Sequence, residues 1–319
     1  MRYSKHFILF SFLIFAITLC QANDLPGALN DSIAPTKVRR VGTFACLKDS
    51  LRVVHSATTV WYGRQTSSDE YLSLLQYKGW TVGIGNESDK IVWRLSDKSR
   101  SHSTSPALRG NNMRPESHHY LRQYWHWEVG YGQLLSSAKN NRRRTWGASA
   151  DWRLMYEWQW RGLTLGGGLM LSADYAGRMA GSNVNKPYSM DLSVDASLAA
   201  GVQYSLWAGR KVHLTFDYHI TTPFAGCFFM PGMGQAYYEM SNGLNGTAHA
   251  SSFHNKQAFA HDFHIDLRLQ RTAWRIGIKH SFLNYHANSL RSQREDLHAY
   301  VGWLADLTIN RGTKVKGER

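Results

Sequence analysis

The chain has 319 residues, of which 43% are hydrophobic, 13% aromatic and 19% charged, with a formal net charge of +14. Twelve Trp and 16 Tyr exclude a disordered chain, and seven Pro without a Gly-x-y period exclude a collagen-like one. Beyond the first twenty residues no apolar run reaches the roughly 18 residues of a membrane-spanning helix.

The first element is a targeting segment. Arg2 and Lys5 form a positive region, Phe7 to Leu19 is apolar, and Cys20-Gln21-Ala22 offers small residues for cleavage after Ala22. Residues 1–22 therefore read as a Sec signal peptide, with lipidation at Cys20 as the second choice because Leu19 precedes it. Their removal takes away Arg2 and Lys5 but no acid, so the exported chain stays basic. An exported basic surface points to anionic lipid headgroups or acidic sugars, not to nucleic acid. Cys46 and Cys227 then remain, too far apart in sequence for a disulfide framework, and both are expected to be free.

Residues 40–100 alternate weakly, and the first two strands are placed near 56–63 and 79–96. The polar stretch 97–117 reads as a loop. From there the chain has period two. Leu121, Trp125, Trp127, Val129 and Tyr131 alternate with Arg122, His126, Glu128 and Gly130. Trp146, Ala148, Ala150, Trp152, Leu154, Tyr156, Trp158 and Trp160 alternate with Gly147, Ser149, Asp151, Arg153, Met155, Glu157, Gln159 and Arg161. Successive side chains of a strand point to opposite faces, so this ribbon lies between an apolar and a wet medium. The pattern continues over 163–175, 189–207, 211–221, 257–270, 273–286 and 295–309. His261 and His280 break it by falling on apolar faces, and Leu304 by falling on a polar one.

Soluble strands usually run to about five or six residues. The runs 118–137, 145–161 and 189–207 are much longer, as in membrane barrels. Short turns at 160–163, 207–211 and 270–273 alternate with longer connections at 64–78, 138–144, 176–188, 222–256 and 287–294. Trp160, Trp207 and Trp274 sit by the short turns, as an interfacial girdle would. The expected fold is all-β: an up-and-down antiparallel transmembrane β-barrel of about ten strands, with twelve as the alternative. The expected domains are the signal peptide 1–22, a periplasmic segment 23–55, the barrel 56–309 and a basic tail 310–319. The expected location is the outer membrane, with the long loops outside the cell.

Two segments carry a resemblance. Tyr71 to Gly79 (YLSLLQYKG) and Pro223 to Glu239 (PFAGCFFMPGMGQAYYE), with the strand pattern, resemble a bacterial family catalogued as domain of unknown function 3316. The resemblance covers roughly 55–309. It implies an exported, barrel-like protein, and it assigns no catalytic residue.

Three features carry candidate chemistry. Asp217-x-His219 and Asp262-x-His264-x-Asp266 lie on strands flanking the longest loop, each set on one face. Brought together at the outer rim, Asp217, His219, Asp262 and His264 would suit a general-base or metal site, though satisfied lumen histidines are the default reading. Lys139, Arg142, Arg143 and Arg144 on a short outer hairpin are candidates for lipopolysaccharide phosphates, since guanidinium forks match phosphate oxygens. The loop 222–256, rich in Phe, Tyr, Met and Gly, suits either an inward-folded plug or a partner-binding segment, and the sequence does not choose between them. No phosphate-binding Gly-Lys loop, CxxC pair, HExxH or nucleophile elbow is present. Gly166-Gly167-Gly168 suits a bend or close packing better than a ligand cradle. No cofactor and no metal is expected. The expected partners are outer-membrane lipid and lipopolysaccharide, with the barrel assembly machinery for insertion, while the oligomeric state stays open. The expected role is structural, binding or a narrow conduit at the cell surface. The alternatives are an outer-membrane enzyme acting on lipid or peptide and a soluble periplasmic β-sandwich.

Overall fold

Inside a bilayer no water serves the backbone, so a strand's N–H and C=O groups must all pair with other strands, which a sheet achieves only by closing on itself. This chain closes. The computed structural model describes residues 51–95, 117–180, 188–208, 212–230, 247–269 and 272–310, which form eleven strands. These are β1 (Leu51–Asp69), β2 (Ser73–Leu95), β3 (Ser117–Ser136), β4 (Arg142–Trp160), β5 (Leu163–Ala180), β6 (Tyr188–Ala208), β7 (Val212–Phe229), β8 (Ala248–Ser252), β9 (Lys256–Arg268), β10 (Ala273–Ala287) and β11 (Leu290–Asn310). Ten of them pair antiparallel with their neighbours in chain order, β7 pairing with β9. The ring closes where β1 meets β11, from Leu51↔Asn310 to Asp69↔Ser292. The remaining strand, β8, pairs only with the far end of β7, at Ala225↔Ser252 to Phe229↔Ala248. The fold is a closed antiparallel barrel of ten strands, and the sandwich alternative is set aside.

The end carrying Leu51 and Asn310 is termed the inner end and the opposite one the outer end. At the inner end the β4–β5 turn is Arg161-Gly162, with Arg161 at φ 54°. At the outer end the β1–β2 turn is only Glu70–Leu72, and the β10–β11 turn is Asn288-Ser289 with φ of 51° and 60°. The outer connections are therefore shorter than the sequence pattern suggests. Most of 64–78 is strand, β4 already begins at Arg142, and the first eight residues of 222–256 belong to β7. The physical reason is that ladder pairing continues past the apolar belt. There water, not lipid, meets the outward side chains, so alternation is no longer required. The barrel likewise begins at Leu51, inside the stretch expected to be a periplasmic segment. Residues 1–22 with the cleavage position, the tail 311–319, the polar loop 96–116 and residues 231–239 of the second family segment lie outside the described residues.

Side-chain direction follows the parity read from the sequence. On β4, Tyr156, Trp158 and Trp160 point outward and are exposed, whereas Arg153, Met155 and Glu157 point inward and are buried. Trp125, Trp127, Val129 and Tyr131 on β3 and Ile276 and Ile278 on β10 are exposed in the same way. No second layer covers the described apolar face. In water so continuous an apolar surface would drive aggregation, so its medium is lipid. Trp160, and Trp274 paired with Trp303, mark the inner interface. Trp207 does not join this girdle: it holds lumen parity and lies against His213, with ring centroids 4.6 Å apart.

The lumen is filled by side chains of unequal size. Trp61 of β1 points inward and its ring lies across the bare backbone of two neighbouring strands. A Cβ at Gly83 would stand 2.3 Å from Trp61 Cζ2, and one at Gly130 would stand 2.5 Å from Cη2. On its other side Trp61 stacks on His298, with centroids 4.2 Å apart. Gly130→Val should therefore displace Trp61 and destabilise the barrel by about 1–3 kcal/mol. Gly167→Ala, whose added Cβ meets nothing within 4 Å, should leave it unchanged. Denaturant midpoints of the two variants in detergent check this pair.

Candidate functional site

Alternation places the polar residue of every second position inside a tube too narrow for bulk water, so the lumen charges must neutralise one another. Glu87 of β2 is the centre of that pairing. It accepts from Arg153 Nη2 of β4 at 2.6 Å and from Arg275 Nη1 of β10 at 2.7 Å, linking walls far apart in sequence. Arg275 also grips Asp266 of β9 with two bonds, of 2.7 and 3.0 Å. Arg122 of β3 meets Glu157 at 3.1 Å and Asp89 at 3.4 Å, while the Tyr124 hydroxyl donates to Glu157 at 2.6 Å. Further out, Lys279 of β10 crosses to Glu128 of β3 at 2.9 Å, and His126 pairs with Asp151 at 2.7 Å.

The four residues singled out as a possible Asp/His site do come together. Cross-strand partners Asp217↔His264 and His219↔Asp262 place them side by side on β7 and β9. His219 Nε2 lies 2.7 Å from Asp217, His264 Nδ1 lies 3.5 Å from Asp262, and the two rings are 6.4 Å apart. Their position differs from the expectation. They sit in the inner part of β7 and β9, facing the lumen, and not at the outer rim, because β7 runs on to Phe229 before the chain turns. His219 and His264 are only 7% and 3% exposed. The Tyr300 hydroxyl donates to Asp262 at 2.5 Å, and the His219 ring lies across Gly201, where a Cβ would stand 2.5 Å from Nδ1. Each imidazole is thus held by carboxylates and packing inside the charge network. Among the described residues no group of three or more His, Cys, Asp or Glu is placed to hold a metal ion.

Against this network the lumen keeps a cavity of about 200 Å³, lined by Glu87, Arg153 and Lys279, by Ser149, Ser172 and Ser193, and by His219 and Asp262 of the Asp/His group. A second cavity of about 90 Å³ adjoins it, sharing Glu128, Asp174 and His298. At the outer end the tube is capped. Tyr71 and Leu72 from the β1–β2 turn, Phe228 and Met230 from the end of β7, Tyr285 of β10 and Leu290 of β11 form one buried apolar cluster. Next to it, Arg178 of β5 pairs with Asp69 at 2.9 Å and with Asp191, which also accepts from Tyr285. Of the loop expected to fold inward or bind a partner, Phe228 and Phe229 belong to β7, Met230 follows it into the cluster, and 231–246 lie outside the described residues.

The basic hairpin divides by parity. Lys139 is exposed on the turn with φ 57°, and Arg142 and Arg144 are exposed on the outward face of β4. Arg143 between them points inward and is fully buried, its guanidinium 3.8 Å above the Tyr77 ring. It is not placed to meet a lipid phosphate, because neighbours in a strand face opposite ways. Sequence reasoning did not single out Glu87, Asp89, Asp69, Arg178, Lys256 or Asp296 as lumen charges. The first three lie where alternation is weakest. Cys227 is free and exposed, and Cys46 lies outside the described residues.

Residues 45–314 match the family described as protein of unknown function DUF3316. No curated relative matches the chain. Among solved structures, the transport unit of the autotransporter AIDA-I from Escherichia coli is similar at 8% identity, with a TM-score of 0.40, over 82% of this chain and 93% of that one. The translocator domain of the autotransporter NalP from Neisseria meningitidis is similar at 10% identity and a TM-score of 0.33, over 81% and 89%. The COG4313 outer membrane channel from Pseudomonas putida F1 follows at 10% identity and 0.28, over 84% and 99%.

Glu87→Gln removes the carboxylate between Arg153 and Arg275 and leaves two buried cations facing each other. The expected loss is about 3–5 kcal/mol, whereas Arg142→Gln on the outer surface should change stability by less than about 0.5 kcal/mol. Guanidinium unfolding of both variants, followed by tryptophan emission, measures the contrast.

Proposed function

The chain belongs to the DUF3316 family, and we propose that it serves as an outer-membrane barrel with a closed lumen, a structural and binding element of the cell surface. In this reading the signal peptide at 1–22 exports it and the barrel assembly machinery inserts it, with the end carrying Leu51 and Asn310 in the periplasm. The observation that carries the proposal is the double obstruction of the tube. Cross-lumen ion pairs centred on Glu87 fill the inner part, and the cluster of Tyr71, Leu72, Phe228, Met230, Tyr285 and Leu290 caps the outer end. A conduit needs a continuous wet path, and paired charges with buried aromatics argue against one. The buried Asp217, His219 and His264, with the half-buried Asp262, act in this reading as part of the lumen packing. An enzyme acting on lipid or peptide would need them within a substrate's reach, and the apolar cap over the outer end, with both imidazoles buried, speaks against that role.

In planar bilayers the purified barrel should give no unitary conductance steps. A reproducible open channel would overturn the closed-lumen reading. In cell fractionation the protein should sediment with the outer membrane and show heat-modifiable gel mobility. Release by osmotic shock would overturn the location.

A further inference from the structure

The outward faces of the first four strands collect cations that the sequence keeps far apart. Across the ladder, Arg64 of β1 pairs with Trp80 of β2, Trp80 with Gln133 of β3, and Gln133 with Arg144 of β4. One row further out, Lys78 of β2 pairs with Leu135 of β3, and Leu135 with Arg142 of β4. Arg64, Lys78, Arg142 and Arg144 all point outward and are exposed, and Lys139 stands on the adjoining turn. With strands about 4.8 Å apart, Lys78 and Arg142 lie roughly 10 Å apart at the backbone, and Arg64 and Arg144 roughly 14 Å apart. One residue pair towards the membrane from Arg64 and Arg144, the facing positions are Tyr62, Val82, Tyr131 and Trp146. Trp80 meets Tyr131 edge-on with centroids 6.1 Å apart, and Trp146 stacks on Tyr188. Such a band marks the depth at which acyl chains give way to headgroups.

The aspartates of this region face elsewhere. Asp69, Asp191 and Asp296 point into the lumen and are held by Arg178 and Arg294. The neighbouring Glu70 accepts from the Arg291 backbone N–H, and Glu295 pairs with His280. Among the described residues no acid is paired with Arg64, Lys78, Arg142 or Arg144. The outward face of β1 to β4 thus carries cations directly above an aromatic band, and the exposed acid on the adjoining strand, Glu295 of β11, is paired with His280.

Resting on the outer-membrane reading, we infer that Arg64, Lys78, Lys139, Arg142 and Arg144 form one binding site for the phosphates of lipopolysaccharide, its acyl chains lying along Trp80, Tyr131 and Trp146. Guanidinium groups at separated positions fit a headgroup with phosphates at both ends of a disaccharide, each bound by charge-assisted hydrogen bonds. The site lies on the outside of the wall, so it needs no opening of the lumen.

The test uses the full-chain protein in phosphatidylcholine vesicles containing lipopolysaccharide, dephosphorylated lipopolysaccharide or phosphatidylglycerol. Flotation and heat-modifiable mobility report whether the barrel inserts, and lipid retained after detergent extraction reports the site. Wild type should retain intact lipopolysaccharide about tenfold better than the dephosphorylated form or phosphatidylglycerol. Arg64→Gln with Lys78→Gln should lower retention, and adding Arg142→Gln and Arg144→Gln should remove it, while Arg161→Gln at the inner turn has no effect. Equal retention of the dephosphorylated form, equal retention of phosphatidylglycerol, or undiminished retention by the inserted fourfold variant would each overturn the site alone. A wild-type protein that floats with none of the vesicles would overturn the membrane reading and the site with it.

Discussion

Burying charge in a narrow tube is tolerable only when each charge meets its opposite, and that constraint organises the whole barrel. Glu87 satisfies Arg153 and Arg275 at once, Arg275 then holds Asp266, and Lys279 reaches across the lumen to Glu128. These pairs tie together β2, β3, β4, β9 and β10, which are not all neighbours in the ladder. The ladder hydrogen bonds fix each strand to the next, while the ion pairs fix wall to wall. Removing one partner exposes the full desolvation cost of the others, so the network holds as a unit.

The same constraint governs what the interior can do. Imidazoles at His219 and His264 have carboxylate neighbours, a geometry often associated with proton transfer. Here Tyr300 and Gly201 pack around them, and only the His219 side borders the internal cavity. The open volume, which His219 and Asp262 also line, is walled by serines and ion pairs and lies beneath the apolar cap. With that volume capped, the proposed function lies at surfaces that face membrane and medium, above all the outer rim with its outward cations.

Much of the fold was legible because a bilayer imposes a simple rule. Where lipid touches the outside and paired charge fills the inside, side chains alternate, and Trp152, Trp158 and Ile276 announce their face by position alone. The rule lapses where the strand leaves the bilayer. Arg64, Lys78, Arg142 and Arg144 point outward beyond the apolar belt, so they break the apolar pattern, and residues 64–78 and 138–144 look like loops although most of the first and the end of the second are strand. The weak alternation of 40–100 has a further cause: Trp61 points inward over Gly83 and Gly130, against the usual polarity of the lumen face.

By itself the sequence determined the barrel, a count of about ten strands with twelve left open, and which face of the ribbons from β3 onward meets lipid, because these depend on local periodicity and on the solvent each side chain prefers. It also brought Asp217, His219, Asp262 and His264 together, since spacing and hairpin pairing are local properties. Only the tertiary structure decided their depth, the inward turn of Arg143, the meeting of Glu87 with Arg275, and the gathering of Arg64 and Lys78 beside Arg142. These depend on register and closure, which join residues remote in sequence and leave no periodic trace along the chain.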